Sequence, residues 1–359
     1  MAEFPDINNF KRENIFIEVM RDKFARCAFI ILLIMYFSAF SASFISPYSK
    51  YYSNRDKSYC PPSKIYIINE EGKLSLPYTY NYIRYFDKEN FSTNYIEDKS
   101  KKYAVKYFSK GKDGKRHFYD TEEGGELYLL GTDMNGRDNF SRLLYGAQIS
   151  LTIGFLALIV SFPLGLLYGG ISGYLGGKID FLMMRTAEAV MSIPGFYLLI
   201  ILASILPADM TSTQRFALIV VILALIGWAG FSRVVRGMVL SIKKKEFVLA
   251  SEALGASSFR TIMKHILPQT MSYVIIAMTL NVPSYILSES GLSFLGLGIQ
   301  QPDASWGNML KEAQEFINVI SRPWLLAPGF MIFAAVLCFN VIGDALRDVL
   351  DPKNKEMQP

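Results

Sequence analysis

Histidine is nearly absent from this 359-residue chain: His117 and His265 are the only two. The three cysteines, Cys27, Cys60 and Cys338, lie far apart, and no metal-ligand spacing links them. A structural zinc site is therefore not expected. There is no Walker A loop. The nearest approach, Gly173–Lys178, is too short and has Ile179 where a magnesium-holding Ser or Thr would stand. Nor is there a His-Glu-x-x-His run or a Ser/His/Asp set, so no catalytic constellation stands out and the chain is read as a non-enzyme. The net charge of +5 is too mild to imply nucleic acid. No secretory signal is evident: the first apolar run follows a long polar lead and has no small-residue cleavage pattern after it. Internal repeats and low-complexity tracts are missing as well.

What is present is apolar sequence in long runs. Hydrophobic residues make up 51% of the chain, a level that a soluble protein can also reach, so their distribution decides the matter. They cluster into stretches nearly free of charge, and runs of about 18 or more can cross a bilayer core. Six such spans are expected, from about Cys27–Ile45, Ile149–Ile171, Phe181–Leu206, Phe216–Val234, Met271–Leu297 and Trp324–Ile342. Lys11, Arg12, Arg21, Lys23 and Arg26 precede the first span. Arg233, Arg236, Lys243, Lys244, Lys245, Arg260 and Lys264 lie between the fourth and fifth, and Arg347, Lys353 and Lys355 follow the sixth. An even span count puts these three clusters on one face, which the positive-inside rule makes the cytosol, with both termini. Pro163, Pro194 and Pro283 fall inside spans, where neighbours can re-satisfy the freed backbone groups. Gly165, Gly169, Gly170 and Gly173 have the small-residue spacing that permits close helix packing.

The expected organisation is a cytosolic segment over 1–26, a first membrane helix over 27–45 and an extracytoplasmic insert over 46–140. A five-span membrane domain over 145–345 and a cytosolic tail over 346–359 follow. The insert holds 14 of the 21 tyrosines, too aromatic for a disordered loop. Glu71-Gly72 and Asp113-Gly114 signal turns, and Lys64–Ile68 and Tyr103–Phe108 alternate like strands, so a small β-rich subdomain is predicted.

The longest cytosolic connection contains Glu246–Pro268. Gly255 can stop one helix in the left-handed conformation, and Ser257 or Ser258 can cap the next. Phe259, Ile262, Met263 and Ile266 then fall on one helical face, with Pro268 past the end. Two short helices with apolar faces at the membrane surface need something to bury them. A partner protein and the lipid headgroups both satisfy the pattern.

Resemblance adds to this. Ala250-Ser251-Glu252-Ala253-Leu254-Gly255-Ala256-Ser257, followed by His265-Ile266-Leu267-Pro268, resembles the EAA loop of ABC importer membrane subunits, in the form used by the dipeptide/oligopeptide/nickel permease family. The acidic position six residues before the family's glycine is Leu249 here, and the acidic residue is Glu252. Leu130–Tyr145, Ser288–Gly298 with Gln301-Pro302 and Ser305–Asn308, and Asn340–Pro352 are similar to further blocks of the same family, in the same order. They mark its C-type subunit, and the insert over 63–128 exceeds the family's usual outer loop.

The resemblance implies an all-α membrane fold of type I ABC importer architecture with six transmembrane helices and the β-rich insert. It implies a permease subunit in the bacterial inner membrane that forms half the pathway of an ATP-driven importer of dipeptides or oligopeptides. Nickel or another small solute is the alternative cargo. An ATP-independent secondary transporter is the alternative class, though it would need midplane ion-coupling residues and often internal symmetry, neither of which is clear. The implied partners are a homologous permease in a heterodimer, two ATP-binding subunits, an extracytoplasmic substrate-binding protein and membrane lipid. ATP and magnesium would be bound by the partners, so this chain needs no cofactor. The coupling set is Phe247, Ala250, Ser251, Glu252, Ala253, Leu254, Gly255, Ala256, Ser257, Phe259, His265, Leu267 and Pro268.

Glu188, Asn281, Ser288, Glu289 and Ser290 are candidates for lining the translocation path, since a carboxylate at membrane depth faces a cavity or a partner; packing is the competing reading. Arg185, one turn before Glu188, is its expected partner. Asp133, Gly136, Arg137 and Asp138 read as a tight polar turn at the outer surface. Trp306 reads as an interfacial anchor, His117 as a solvated surface residue, and Asp344, Arg347, Asp348 and Asp351 as the capped end of the last span.

Overall fold

The computed structural model describes residues 15–350 apart from 69–71, 89–91, 111–113, 115 and 208. Lys11, Arg12, Glu71, Asp113, Asp351, Lys353 and Lys355, used in the expectations above, lie outside the described residues. In chain order the helices are α1 (Ile15–Val19), α2 (Lys23–Phe40), α3 (Ala42–Ile45), α4 (Asn139–Leu175), α5 (Gly177–Met191), α6 (Gly195–Ser204) and α7 (Ser212–Ile242). Then come α8 (Glu246–Ala253), α9 (Ser258–Thr261), α10 (Met271–Phe294), α11 (Trp306–Leu310), α12 (Phe316–Ser321) and α13 (Ala327–Leu350). Between α3 and α4 lie the strands β1 (Tyr66–Ile68), β2 (Leu74–Asp87), β3 (Ser92–Tyr107) and β4 (Tyr119–Thr121).

Among the described residues, five helical stretches are long and apolar enough to cross a membrane: Lys23–Phe40, Asn139–Leu175, Ser212–Ile242, Ser258–Phe294 and Pro323–Leu350. The pair α5 and α6 makes a sixth when counted as one span, but it bends by 77° at its break. This corrects the expectation of an unbroken run over Phe181–Leu206. Pro163 and Pro283 sit within continuous helices, whereas Pro194 ends one helix and opens another. Proline drives the residue before it out of the helical region, and Gly195 beyond it has no side chain to hold the turn together. The fold is thus an all-α membrane fold with a small antiparallel sheet.

The structure divides into two compact units. One is drawn from Met1–Leu32, Thr152–Leu292 and Ala334–Pro359. Within it α4 comes close to α7. A Cβ on Gly169 would lie 2.3 Å from Ser232 O, and one on Gly173 would lie 2.9 Å from Arg236 O. The four-residue spacing of these glycines therefore lets the two backbones touch. Phe162 packs on Phe231 at 4.1 Å between ring centroids, and Arg236 clamps Asp180 with two hydrogen bonds of 2.5 Å each. Ser172 Oγ donates to the same carboxylate. Leu158, Leu199, Ile219 and Ile286 are fully buried.

The other unit comprises Leu33–Leu151 and Ser293–Phe333. Its sheet has the order β1-β2-β3-β4, every pair antiparallel, with Ile83 opposite Ile96 and Tyr107 opposite Tyr119. β2 and β3 are long, at 14 and 16 residues. Cys60, Tyr82 and Tyr128 form one small core with Tyr48, Tyr52 and Tyr95 around it; Val105, Tyr119 and Leu127 form a second. Burial pushes the Cys60 thiol up to about 12, so it packs as an inert apolar group.

Two single-residue expectations change here. Trp306 is fully buried rather than interfacial: its indole N–H donates to Leu143 O at 3.0 Å. The reciprocal Ser305–Asn308 capping box starts α11 at that point and turns the indole inward. His117 is also buried, with Nδ1 2.5 Å from Ser46 O, because the chain after β3 returns to the end of α3.

Candidate coupling site

Glu246–Ala253 forms α8, and its end has the geometry that glycine allows. Gly255 has φ +81°, its N–H donates to Glu252 O at 2.9 Å, and Ala256 N–H donates to Ser251 O at 3.1 Å. This is the paired bond pattern of a Schellman stop. Ser257 then caps α9 by accepting from the Arg260 N–H at 3.4 Å. A π-turn over Ile262–Ile266 and a 3-10 turn over Leu267–Thr270 lead into α10.

The π-turn alters the expected face. Ile262 and Ile266 are buried, while Phe259 and Met263 are exposed, so the four do not share one side. An i→i+5 turn breaks the 3.6-residue period on which that expectation rested. Pro268 is not past the helical path either: it stands at the second position of the 3-10 turn Leu267–Thr270, within the first turn where its missing N–H is not needed. Val248, Ile262, Ile266 and Leu267 anchor the element inside its own unit. Leu254 is 89% exposed and Phe259 is 70% exposed, at the turn between the two short helices. Phe247 and Leu249 are exposed beside them, as are Ala250, Glu252, Ala253, Ser257 and Pro268, while Ser251, Ala256 and His265 are half-buried.

Two side chains outside the expected coupling set tie this region to α4. Tyr174 OH donates to Glu252 Oε1 at 2.8 Å, and Lys243 Nζ donates to Gly173 O at 3.0 Å. The lysine meets carbonyls at the C-terminal end of a helix, which both its hydrogen bonds and the helix dipole favour. A lysine just past the end of α7 was the available signal, but its acceptors lie some 70 residues away in the chain. Tyr174, Leu175, Lys243, Lys244, Leu249 and Glu252 line one open groove.

The other candidate residues are placed separately. Glu188 is half-exposed on α5, and Arg185 meets it at 2.9 Å. Glu289 and Ser290 are buried in α10; Ser288 and Asn281 are half-buried, and the Asn281 amide donates back to Ala277 O. Asp344, Arg347 and Asp348 occupy the last turns of α13 and are exposed.

The turn at Asp133–Asp138 is buried rather than a surface feature. Asp133 accepts from the Arg137 Nε at 2.6 Å and from the Asn135 and Arg137 backbone N–H groups, and Arg142 Nε lies 3.5 Å away. Arg137 also reaches Gln301, and Glu312 accepts from the Met134 N–H at 3.0 Å. Gly136 has φ +67°, and a Cβ there would lie 1.8 Å from Asn54 O. Asp138 caps α4, its Oδ2 accepting from the Ser141 N–H at 2.7 Å while its Oδ1 is buried without a hydrogen bond. Burial raises both Asp138 and Glu312 to about 7, with Asp133 adding to the rise in each. An aspartate just before a long apolar run was a legible cap signal; the distant partners Gln301 and Glu312 were not.

The described residues thus form a membrane domain with an exposed helix–turn–helix between two of its spans, the layout of a transport permease component. Residues 161–356 match the family described as "binding-protein-dependent transport system inner membrane component". That is more than half of the chain, and the chain belongs to this family, with the type I permease fold. It is 48% identical over 228 residues to the dipeptide transport system permease protein DppC of Bacillus subtilis, covering 63% of this chain and 69% of the relative. It is 43% identical over 236 residues to the oligopeptide transport system permease protein OppC of Haemophilus influenzae, covering 66% and 73%. The OppC of Bacillus subtilis is 41% identical over 227 residues, covering 63% and 72%.

Proposed function

We propose that this chain is the C-type permease subunit of an ATP-driven peptide importer, paired with a homologous permease and served by two ATPase subunits and a substrate-binding protein. The names of the relatives, dipeptide and oligopeptide permeases, support peptides over nickel as cargo. The observation that carries the coupling role is the exposure of Leu254 and Phe259 on a tightly anchored helix–turn–helix. Its own chain buries neither side chain, and a pinned scaffold can transmit a push where a loose loop would absorb it. In this reading ATP and magnesium belong to the partners, the tip rides on them, and the spans alternate between inward- and outward-facing states as ligands bind one state better than the other. The chain lies in the inner membrane with both termini and Glu246–Pro268 in the cytosol, which the lysine and arginine distribution supports.

The test is reconstitution. Proteoliposomes holding the two permeases and the ATPases should accumulate labelled peptide only with ATP and the binding protein. Uptake by this chain alone without ATP would replace the proposal with a secondary transporter. Nickel uptake without peptide uptake would replace its cargo.

A further inference from the structure

The end of α2 presents an uncovered aromatic face that runs on into the insert. Phe37, Phe40 and Phe44 are exposed and stand at helical spacing on one side. Beyond α3 the chain leaves for some 60 residues and returns to the same place. There the Phe118 N–H donates to Phe44 O at 2.7 Å, and His117 Nδ1 lies 2.5 Å from Ser46 O. These bonds tie the β3–β4 junction to the helix end. The rings of Phe108 and Phe118 each lie 6.2 Å from that of Phe44 and 5.4 Å from one another, and Tyr107 lies 6.2 Å from Phe118.

This cluster is neither a core nor scattered surface. Phe44, Tyr107, Phe108 and Phe118 are all exposed, Phe108 by 64%. Phe108 is held at φ +52°, a backbone region that bulky residues avoid and that persists where the surroundings impose it. Lys110 and Arg116, both exposed, face each other across an isolated antiparallel bridge beside the aromatics. Lys106 is exposed nearby and reaches Glu122 at 3.6 Å.

Depth identifies what meets this surface. The 18 residues of α2 cover about 27 Å, close to the roughly 30 Å of a bilayer's hydrocarbon core. Phe44, one turn further on, therefore falls where hydrocarbon gives way to headgroups. Aromatic rings favour that boundary, and basic side chains there are drawn to anionic lipid. We infer that Phe44, Tyr107, Phe108 and Phe118, with Lys110 and Arg116, form a lipid-headgroup docking surface that seats the β insert on the bilayer at the far end of α2. The inference rests on the membrane-spanning reading of α2 and holds whatever the transporter carries.

The test uses the assembled transporter in nanodiscs. In one arm, Phe108→Trp places an indole in the cluster, and the signal of Trp228, Trp306 and Trp324 is subtracted with the unsubstituted complex. Lipids brominated near the headgroup should quench the added indole more than lipids brominated near the chain end. Equal or absent quenching, with full access to aqueous iodide, overturns the inference. In the second arm, the aromatics are left intact. Hydrogen exchange at the Phe108 and Phe118 amides should be slower in discs containing phosphatidylglycerol than in phosphatidylcholine alone. Lys110→Gln and Arg116→Gln should each reduce that difference roughly fivefold. Protection that ignores lipid charge, or that appears only when the binding protein is added, overturns the inference.

Discussion

Truncating Leu254 separates a docking role from a folding role. In its own chain the side chain is 89% exposed, so Leu254→Ala should change the stability of the permease by no more than about 0.5 kcal/mol, as at an ordinary surface site. Once covered by a partner ATPase, the same side chain contributes about 2 kcal/mol of burial, and its loss weakens association roughly thirtyfold. Ile266→Ala is the counterpart. Ile266 is fully buried under the same element, so its truncation should destabilise the fold by about 2–5 kcal/mol. The assay immobilises the permease pair in nanodiscs, titrates ATPase subunits over it by interferometry, and follows thermal unfolding of the same samples. The expected pattern is a crossed one: Leu254→Ala lowers affinity and leaves unfolding in place, whereas Ile266→Ala lowers the unfolding midpoint. Wild-type affinity in Leu254→Ala would refute the assignment of the tip as the docking surface.

Removing the Tyr174 hydroxyl breaks its bond to Glu252 at an exposed site, a loss of about 1 kcal/mol. Tyr174→Phe should therefore keep the ATPases bound while fewer peptides are imported per ATP hydrolysed; an unchanged ratio would show that this tie does not position the element. Gly136→Ala should destabilise the Asp133–Asp138 turn by at least about 3 kcal/mol, since its Cβ would collide with Asn54 O. Gly255→Ala meets open space and should cost only the left-handed backbone penalty of about 1–2 kcal/mol, both read from unfolding midpoints. Asp138 and Glu312 start from 3.8 and 4.5 and are raised to about 7 by burial, so the folded state holds protons that the unfolded state releases. Their contribution to stability is complete at acid pH and declines as pH climbs toward 7, by up to ~1.4 kcal/mol per pH unit for each group. Unfolding midpoints should fall between about pH 4 and about pH 7 and level off above that, and Asp138→Asn, which keeps a capping oxygen, should flatten part of that slope.

Most spans were legible because a bilayer demands long apolar helices, and few other signals in a sequence are as strong. The turn at Gly255 and Ser257 could also be read, since a left-handed stop and a hydroxyl cap are local chemistry. What escaped depended on distance or on a change of period. β2 alternates through Leu74, Leu76, Tyr78, Tyr80 and Tyr82, but tyrosine reads as half-polar, and the strand was not named. The face of Phe259 and Ile266 failed because a π-turn intervenes, and nothing in four residues announces one. The burial of the Asp133 turn needed Gln301 and Glu312, which pair with it only after some 170 residues of intervening chain have folded. Pro194 was visible, but whether a proline bends a span or breaks it depends on its neighbours, and Gly195 tips it toward breaking.

That break has a further meaning for how the chain can exist in a bilayer. α5 is 15 residues long, so the bend lies about 22 Å from its start, within the thickness of the hydrocarbon. From Met191 to Tyr197 every residue is exposed in this chain. Frayed peptide groups cannot face acyl chains, because nothing there can hydrogen-bond them. The kink must therefore be roofed by another polypeptide or bathed by water, and on that stretch a solitary subunit would be at odds with its own solvent.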